Sequence, residues 1–276
     1  MKLFQTASPP SSRRNNRVHD VAEWWTWSDE FREALPAFVA RGRSASLKPR
    51  ISRIPGLKRY DYTFSALHTD AGRFQAKELE PWAASLRKLK PAGEIWLLRN
   101  LLLPGMTSDD LRRLFTGMRD ALIPNVTDSA GALYAPLGDT GGAPTEFPLH
   151  CDLYVPRRLW NIFDDVPAAG GSGASIFLRT DVMLKLAFES GVSTEDLRQL
   201  RTHLKPGAGD RYDAFYSLLY SDRAGFAELD KRMRKASYRI RLQRGEAYLI
   251  DDRTWMHGRT LTSRSVTRNR LHRLVF

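Results

Sequence analysis

In the segment FPLHCDLY, His150 and Asp152 stand one residue apart among apolar and aromatic neighbours. On an extended strand, residues i and i+2 project from one face, so both side chains can reach a single ion while Cys151 points away. Without a third ligand the same two residues are only a hydrogen-bonded pair. A second copy of the pattern, His68-Thr69-Asp70, lies in ALHTDAG, and one ion can use at most one copy. Two imidazoles and a carboxylate on one face of an octahedron leave three positions open. That is the donor set with which non-haem Fe(II) sites take up a co-substrate and O2 together. Among the other histidines, His257 has the most suggestive context: it follows a strand and a tight turn and precedes an arginine-rich strand.

Other chemistries have little support. The chain has no Gly-x-Ser-x-Gly elbow, no Gly-x-Gly-x-x-Gly opening a helix after a strand and no Walker loop. The glycine-rich AAGGSGA reads as a turn before a strand, which does not suit phosphate cradling. Cys151 is the only cysteine, which excludes an intrachain disulfide framework and any multi-cysteine zinc site.

The elements that must position these residues are legible in part. The 276 residues are 42% hydrophobic and 27% charged, near the average for a globular chain. No run approaches the ~18 apolar residues of a membrane span, and the start has too short an apolar stretch for a secretory signal, so the default is a cytoplasmic enzyme. The formal net charge is +12. Residues 41–59 carry seven Lys or Arg and no acid, and HGRTLTSRSVTRNRLHR carries five Arg. Such a charge suits polyanion binding or attraction of small anionic substrates. The absence of zinc-finger, RNA-recognition and helix-turn-helix signatures, with few aromatics in the first stretch, disfavours nucleic acid.

Residues 1 to about 20 read as a loose end, and 21–75, with the tryptophan-rich VAEWWTWSDEFREAL, as an extension packed on a core. Trp24, Trp25 and Trp27 read as core rather than as a substrate cage. From residue 76 the pattern sharpens. Leu79, Trp82, Ala83, Leu86 and Leu89 follow helical spacing, EIWLLR suits a buried strand, and Thr107 or Ser108 can cap a helix with Leu111, Leu114, Phe115 and Met118 on one face. SIFLR, SYRIRLQ and the segment from Glu246 to Ile250 read as strands, and Ser193 caps a further helix. Residues 209–226 form an aromatic insertion whose Tyr212, Phe215, Tyr216 and Tyr220 suit either core or a lid over a substrate. Many strands, with helices mostly early in the chain, predict a mainly β fold: a β-barrel or jelly-roll core with helices packed on one side.

GEAYLIDDRTWMHGRT resembles the distal-histidine segment of the taurine dioxygenase and clavaminate synthase-like family of Fe(II)/2-oxoglutarate oxygenases. GEIWLLRNLLLPGMTSDDLRRLF, TEFPLHCDLY and VPAAGGSGASIFLRTDVM resemble its early strand and helix, its His-x-Asp strand and its Gly-Gly turn, in family order over residues 76–276. The resemblance implies a double-stranded β-helix in one domain, with His150, Asp152 and His257 as ligands of Fe(II). His68 falls outside the core order. The resemblance also implies an arginine for the far carboxylate of 2-oxoglutarate. Arg270 is preferred, then Arg268, while Arg273 faces the other way unless the strand is shifted. Ser175 is the nearest equivalent of the family's hydroxyl contact to the co-substrate.

The implied reaction consumes O2 and 2-oxoglutarate, releases succinate and CO2, and hydroxylates an unactivated C–H of a small amino-acid-like or natural-product substrate in a biosynthetic pathway. Desaturation and cyclisation remain open. Halogenation is disfavoured, because relatives that halogenate lack the carboxylate that Asp152 supplies. From other classes, a basic nucleic-acid-binding protein and a non-catalytic jelly-roll binding protein remain as alternatives.

Overall fold

Alternation along the strands sorts the apolar side chains into three cores separated by two sheets. A computed structural model describes residues 1–11, 17–43, 70–89, 94–122, 133–138, 146–152, 158–165, 173–205, 212–261 and 270–276. The larger sheet contains β1 (Phe4–Thr6), β2 (Ala22–Trp27), β3 (Ile95–Leu98), β4 (Leu133–Gly138), β6 (Arg158–Asp165), β9 (Ala247–Asp251) and β11 (Arg270–Val275). Its order is β1-β2-β3-β9-β6-β11-β4, parallel only between β2 and β3. The smaller sheet, of β5 (Phe147–His150), β7 (Ser175–Arg179), β8 (Tyr238–Ile240) and β10 (Trp255–Arg259), has the order β5-β10-β7-β8 and is antiparallel throughout.

On β6, Leu159 and Phe163 point between the sheets, where they join Leu97, Tyr248, Ile250 and Val275 of the larger sheet and Phe177, Ile240 and Trp255 of the smaller. Trp160 and Ile162 of the same strand point the other way, into a core with Trp27, Phe31, Trp82 and Phe115. That outer core is closed by α1 (Asp29–Arg43), α2 (Asp70–Lys88) and α3 (Ser108–Leu122). The outward residues of the smaller sheet, Leu149, Cys151, Ile176, Leu178 and Met256, pack on α4 (Thr180–Glu189), α5 (Thr194–His203), α6 (Tyr212–Leu219) and α7 (Phe226–Ala236). The strand period of two thus gives a layered molecule in which only side chains of one parity reach the space between the sheets.

The start of α3 is a reciprocal cap: the Thr107 hydroxyl accepts the Asp110 N–H at 3.2 Å and the Asp110 carboxylate accepts the Thr107 N–H at 2.9 Å. Arg43, in the last turn of α1, holds the same carboxylate through both forks, at 3.0 and 2.8 Å. Two arginines of the basic stretch are therefore paired within the chain, since Arg41 also bonds Glu78 at 2.7 Å; residues 44–59 lie outside the described residues. Ser193 caps α5 by accepting the Asp196 N–H at 3.1 Å, as its sequence predicts.

Two expectations are corrected. The first residues are not simply a loose end: β1 pairs antiparallel with β2, and Leu3 and Phe4 are buried, with the Phe4 ring stacked on Trp27 at 5.2 Å. Polar composition around this short apolar segment concealed an edge strand. Nor are the helices mostly early, because α4 to α7 are inserted between β7 and β8. They cover the sheet face that carries Cys151. The three tryptophans pack as expected: Trp24 and Trp27 are buried, and Trp25 stacks on Trp96 at 4.2 Å. No helix among the described residues is long and apolar enough to cross a membrane.

Candidate active site

The adjacent strands β5 and β10 bring His150 and His257 directly opposite one another, with ring centroids 4.4 Å apart. Asp152 follows two residues after His150 on the same side. The three residues form the one group among the described residues in which three potential metal donors converge, all within 4.8 Å of one another and all buried. Nε2 of His150 lies 3.6 Å from Asp152 Oδ1, and Nε2 of His257 lies 3.5 Å from Asp152 Oδ2. Cys151 points into the helix-side core, where burial pushes its thiol pKa well up and makes it a poor nucleophile.

The surroundings orient these donors. His150 Nδ1 sits 2.7 Å from the Pro148 carbonyl, so it carries the proton and leaves Nε2 as the basic nitrogen. His257 is 2% exposed, and neither ring nitrogen has an aligned hydrogen-bond partner among the described residues. Burial disfavours its imidazolium form, yet the neighbouring Asp152 and Asp252 carboxylates outweigh this and raise its pKa. Burial likewise works against ionisation of Asp152; the Arg273 charge, with His150 and His257, prevails and holds the carboxyl well below the usual range. Arg273 Nη1 donates to Asp152 Oδ2 at 2.6 Å, and its Nε donates to Asn161 Oδ1 at 3.0 Å. Asn161 in turn donates to the Tyr248 hydroxyl, whose pKa burial pushes up to about 12.

Helix α6 contributes an aromatic wall. Tyr212 and Tyr216 stack at 5.5 Å and present themselves edge-on to His150, at 5.7 and 6.5 Å. The next residue of that helical series, Tyr220, donates its hydroxyl to the Leu149 carbonyl at 2.7 Å, which ties the helix to β5 one residue from the first histidine. Phe215 of the same segment belongs to the helix-side core.

The sequence-predicted residues separate clearly. His150, Asp152 and His257 are brought together. Ser175 is buried at the start of β7, on the face of Phe177, whose cross-strand partner is His257. Arg270 is described by its backbone pairing to Gly138 and Asp165, whereas His68 and Arg268 lie outside the described residues. Arg273, ranked last by the sequence, is the β11 arginine whose side chain is seen in the site. With Leu271 and Val275 it takes the face between the sheets, opposite to His272 and Leu274. Asn161, Tyr248 and Asp252 were missed. Asn161 had a usable signal, as a polar residue inside the apolar RLWNIF run on the face shared by Leu159 and Phe163.

Gly258 accounts for the close approach of the two histidine strands. A Cβ there would stand 2.5 Å from the Phe147 carbonyl oxygen and 2.9 Å from that of Pro148. Gly258→Ala is expected to push β5 off β10, destabilise the protein by about 1–3 kcal/mol through overpacking and separate His150 from His257. Thermal unfolding alongside a Co(II) titration checks both effects.

No protein-family model and no curated protein matches this sequence. Among solved structures, asparagine oxygenase (AsnO) matches with a TM-score of 0.50 at 15% identity, covering 91% of this chain and 91% of that one. The non-heme iron oxygenase OrfP in complex with Fe and alpha-ketoglutaric acid matches with a TM-score of 0.47 at 14% identity, covering 91% and 92%. PvcB from Pseudomonas aeruginosa matches with a TM-score of 0.41 at 14% identity, covering 99% and 90%. The chain shares the fold of asparagine oxygenase.

Proposed function

We propose that this chain is an Fe(II)- and 2-oxoglutarate-dependent oxygenase that hydroxylates an unactivated C–H bond of a small amino-acid-like or natural-product substrate. The observation that carries the reading is the convergence of two imidazoles and one carboxylate from β5 and β10 in a fold shared with an oxygenase. Its architecture is then a double-stranded β-helix whose two walls are the facing sheets, with residues 76–276 as the oxygenase core and 1–75 as an extension of it.

The donor set suits Fe(II). Two imidazoles and a carboxylate match its mixed nitrogen and oxygen preference, and the buried nitrogens of His257 have no aligned hydrogen-bond partner among the described residues, only the Asp152 and Asp252 carboxylates at 3.5 and 3.3 Å. His150, Asp152 and His257 would hold the ion. When bound, Fe(II) with 2-oxoglutarate supplies the oxidising chemistry: O2 and the co-substrate are consumed, succinate and CO2 are released, and one oxygen atom enters the substrate.

The chain's own residues do the rest. Asp152, kept ionised by Arg273, supplies the negative charge that favours a divalent cation. The Pro148 carbonyl fixes the His150 tautomer. Arg273 has the planar fork that pairs with a carboxylate, and we assign it, ahead of Arg270 and Arg268, to the far carboxylate of 2-oxoglutarate. Ser175 is the hydroxyl contact to the same molecule. Tyr212 and Tyr216 exclude water beside His150 and border the space for the substrate. The partner is therefore a small molecule, and the net positive charge helps to draw in an anionic one.

The test combines Fe(II), ascorbate, 2-oxoglutarate and O2 with the purified protein and measures succinate above a protein-free control. A second arm records visible absorption of the anaerobic protein with Fe(II) and 2-oxoglutarate. Succinate release with a charge-transfer band is expected. Absence of both, together with salt-sensitive retention on polyanions, would favour the nucleic-acid-binding alternative.

A further inference from the structure

We infer that Asp252 is a positioning residue that locks the two ligand strands into one metal-binding geometry; this rests on the metal reading of the site proposed above. Asp252 lies in the turn between β9 and β10 and is 1% exposed. A single oxygen, Oδ1, meets both halves of the site. It accepts the backbone N–H of Asp152 at 3.2 Å and lies 3.3 Å from His257 Nδ1. The second distance is a contact not yet aligned as a full hydrogen bond. The two ligands are 105 positions apart in the chain, and this carboxylate touches one through its backbone and the other through its ring.

The chemistry follows from the tautomer. A cation held by Nε2 of His257 leaves the ring proton on Nδ1, facing Asp252 Oδ1. An oxygen acceptor in that place fixes the ring orientation and the tautomer. The same oxygen holds the backbone of Asp152, so the position of the carboxylate ligand and the direction of the imidazole are set together.

Asp252 can do this only if its turn is stiff, and the turn is anchored on several sides. The Arg253 N–H donates to Asp251 Oδ1 at 3.0 Å, and the Thr254 N–H donates to the Asp251 carbonyl at 3.0 Å. The Thr180 hydroxyl donates to the Arg253 carbonyl at 2.9 Å. The buried Arg253 guanidinium donates to the carbonyls of Leu204 and Lys205 just beyond α5, at 3.3 and 2.7 Å. A side chain on such a turn reports the position of β10 faithfully to β5.

The test uses Co(II) as the probe, read by its ligand-field absorption, on the full-length wild type, Asp252→Asn and Asp252→Leu. Asparagine keeps an oxygen acceptor in place and is expected to bind Co(II) nearly as the wild type does. Leucine keeps the bulk without the acceptor, and its affinity is expected to fall by about 10- to 100-fold, as is typical when an outer partner of a metal ligand is lost, with a changed absorption spectrum. A merely structural Asp252 would instead lower the unfolding temperature of the metal-free protein and leave Co(II) affinity and spectrum untouched, which overturns the inference. A wild type that binds no Co(II) overturns the metal reading itself. Should the leucine variant fail to fold, the Nδ1 proton of His257 in the Zn(II)-loaded wild type decides by NMR: a downfield, slowly exchanging signal supports the inference, and a freely exchanging one overturns it.

Discussion

His257→Gln is expected to fold like the wild type and to lose the visible absorption of the anaerobic Fe(II) and 2-oxoglutarate complex, together with succinate formation. Glutamine approximates the volume of imidazole and avoids the cavity that alanine would leave at a position 2% exposed. It also replaces the basic ring nitrogen that faces Asp152 with an amide that has no basic lone pair on nitrogen. The remaining pair, His150 and Asp152, would offer an ion only two donors, both from one strand, so the loss should exceed the ~10- to 100-fold typical of an outer partner. Asp152→Asn should do the same by a different route, since it removes the charge. Both variants are read by equilibrium Co(II) titration, with circular dichroism establishing that the fold persists. Wild-type Co(II) affinity in His257→Gln would show that the two imidazoles do not share an ion, and the oxygenase reading would fall with it.

Two of the three converging side chains were legible because strand geometry makes a local promise: residues two apart share a face, so His150 and Asp152 must point together and Cys151 away. The pairing of His257 with His150 was not local, since it depends on β10 lying beside β5 in one register; there the resemblance of GEAYLIDDRTWMHGRT supplied what periodicity does not. The cap at Ser193 and the apolar face of α3 were equally readable, because each is a relation among neighbours in the chain. Arg273 failed this test of locality. Which arginine of RNRLHR faces inward is decided by how β11 sits between β4 and β6, and the pairing with β6 is irregular between Arg270 and Leu271. Asp252 was hidden differently. It lay within the quoted motif, but its two partners are a backbone N–H on another strand and a ring nitrogen beyond the turn, and neither leaves a mark on composition or spacing.

The placement of Arg273 leads to the second large effect. Among the described residues its guanidinium is the cation nearest to Asp152, at 2.6 Å and in a buried setting. Arg273→Met leaves that carboxylate without its strongest partner, so the metal-free variant should lose about 3–5 kcal/mol of stability, the usual consequence of breaking a buried pair. A divalent ion restores the missing positive charge. Co(II) should therefore raise the unfolding temperature of the variant more than that of the wild type, because removing a nearby like charge leaves Asp152 wholly to the ion. The co-substrate behaves in the opposite sense. If Arg273 also receives the far carboxylate of 2-oxoglutarate, losing a charge-assisted fork worth about 2 kcal/mol or more raises the KM for 2-oxoglutarate at least ~30-fold. Arg270→Met, made in parallel, should leave KM near the wild-type value. Unfolding measured with and without Co(II), and succinate formation against 2-oxoglutarate concentration, separate the two roles. An Arg273→Met protein that needs no metal for stability would break the charge argument. A KM change carried by Arg270→Met instead would return the carboxylate contact to the arginine that the sequence preferred.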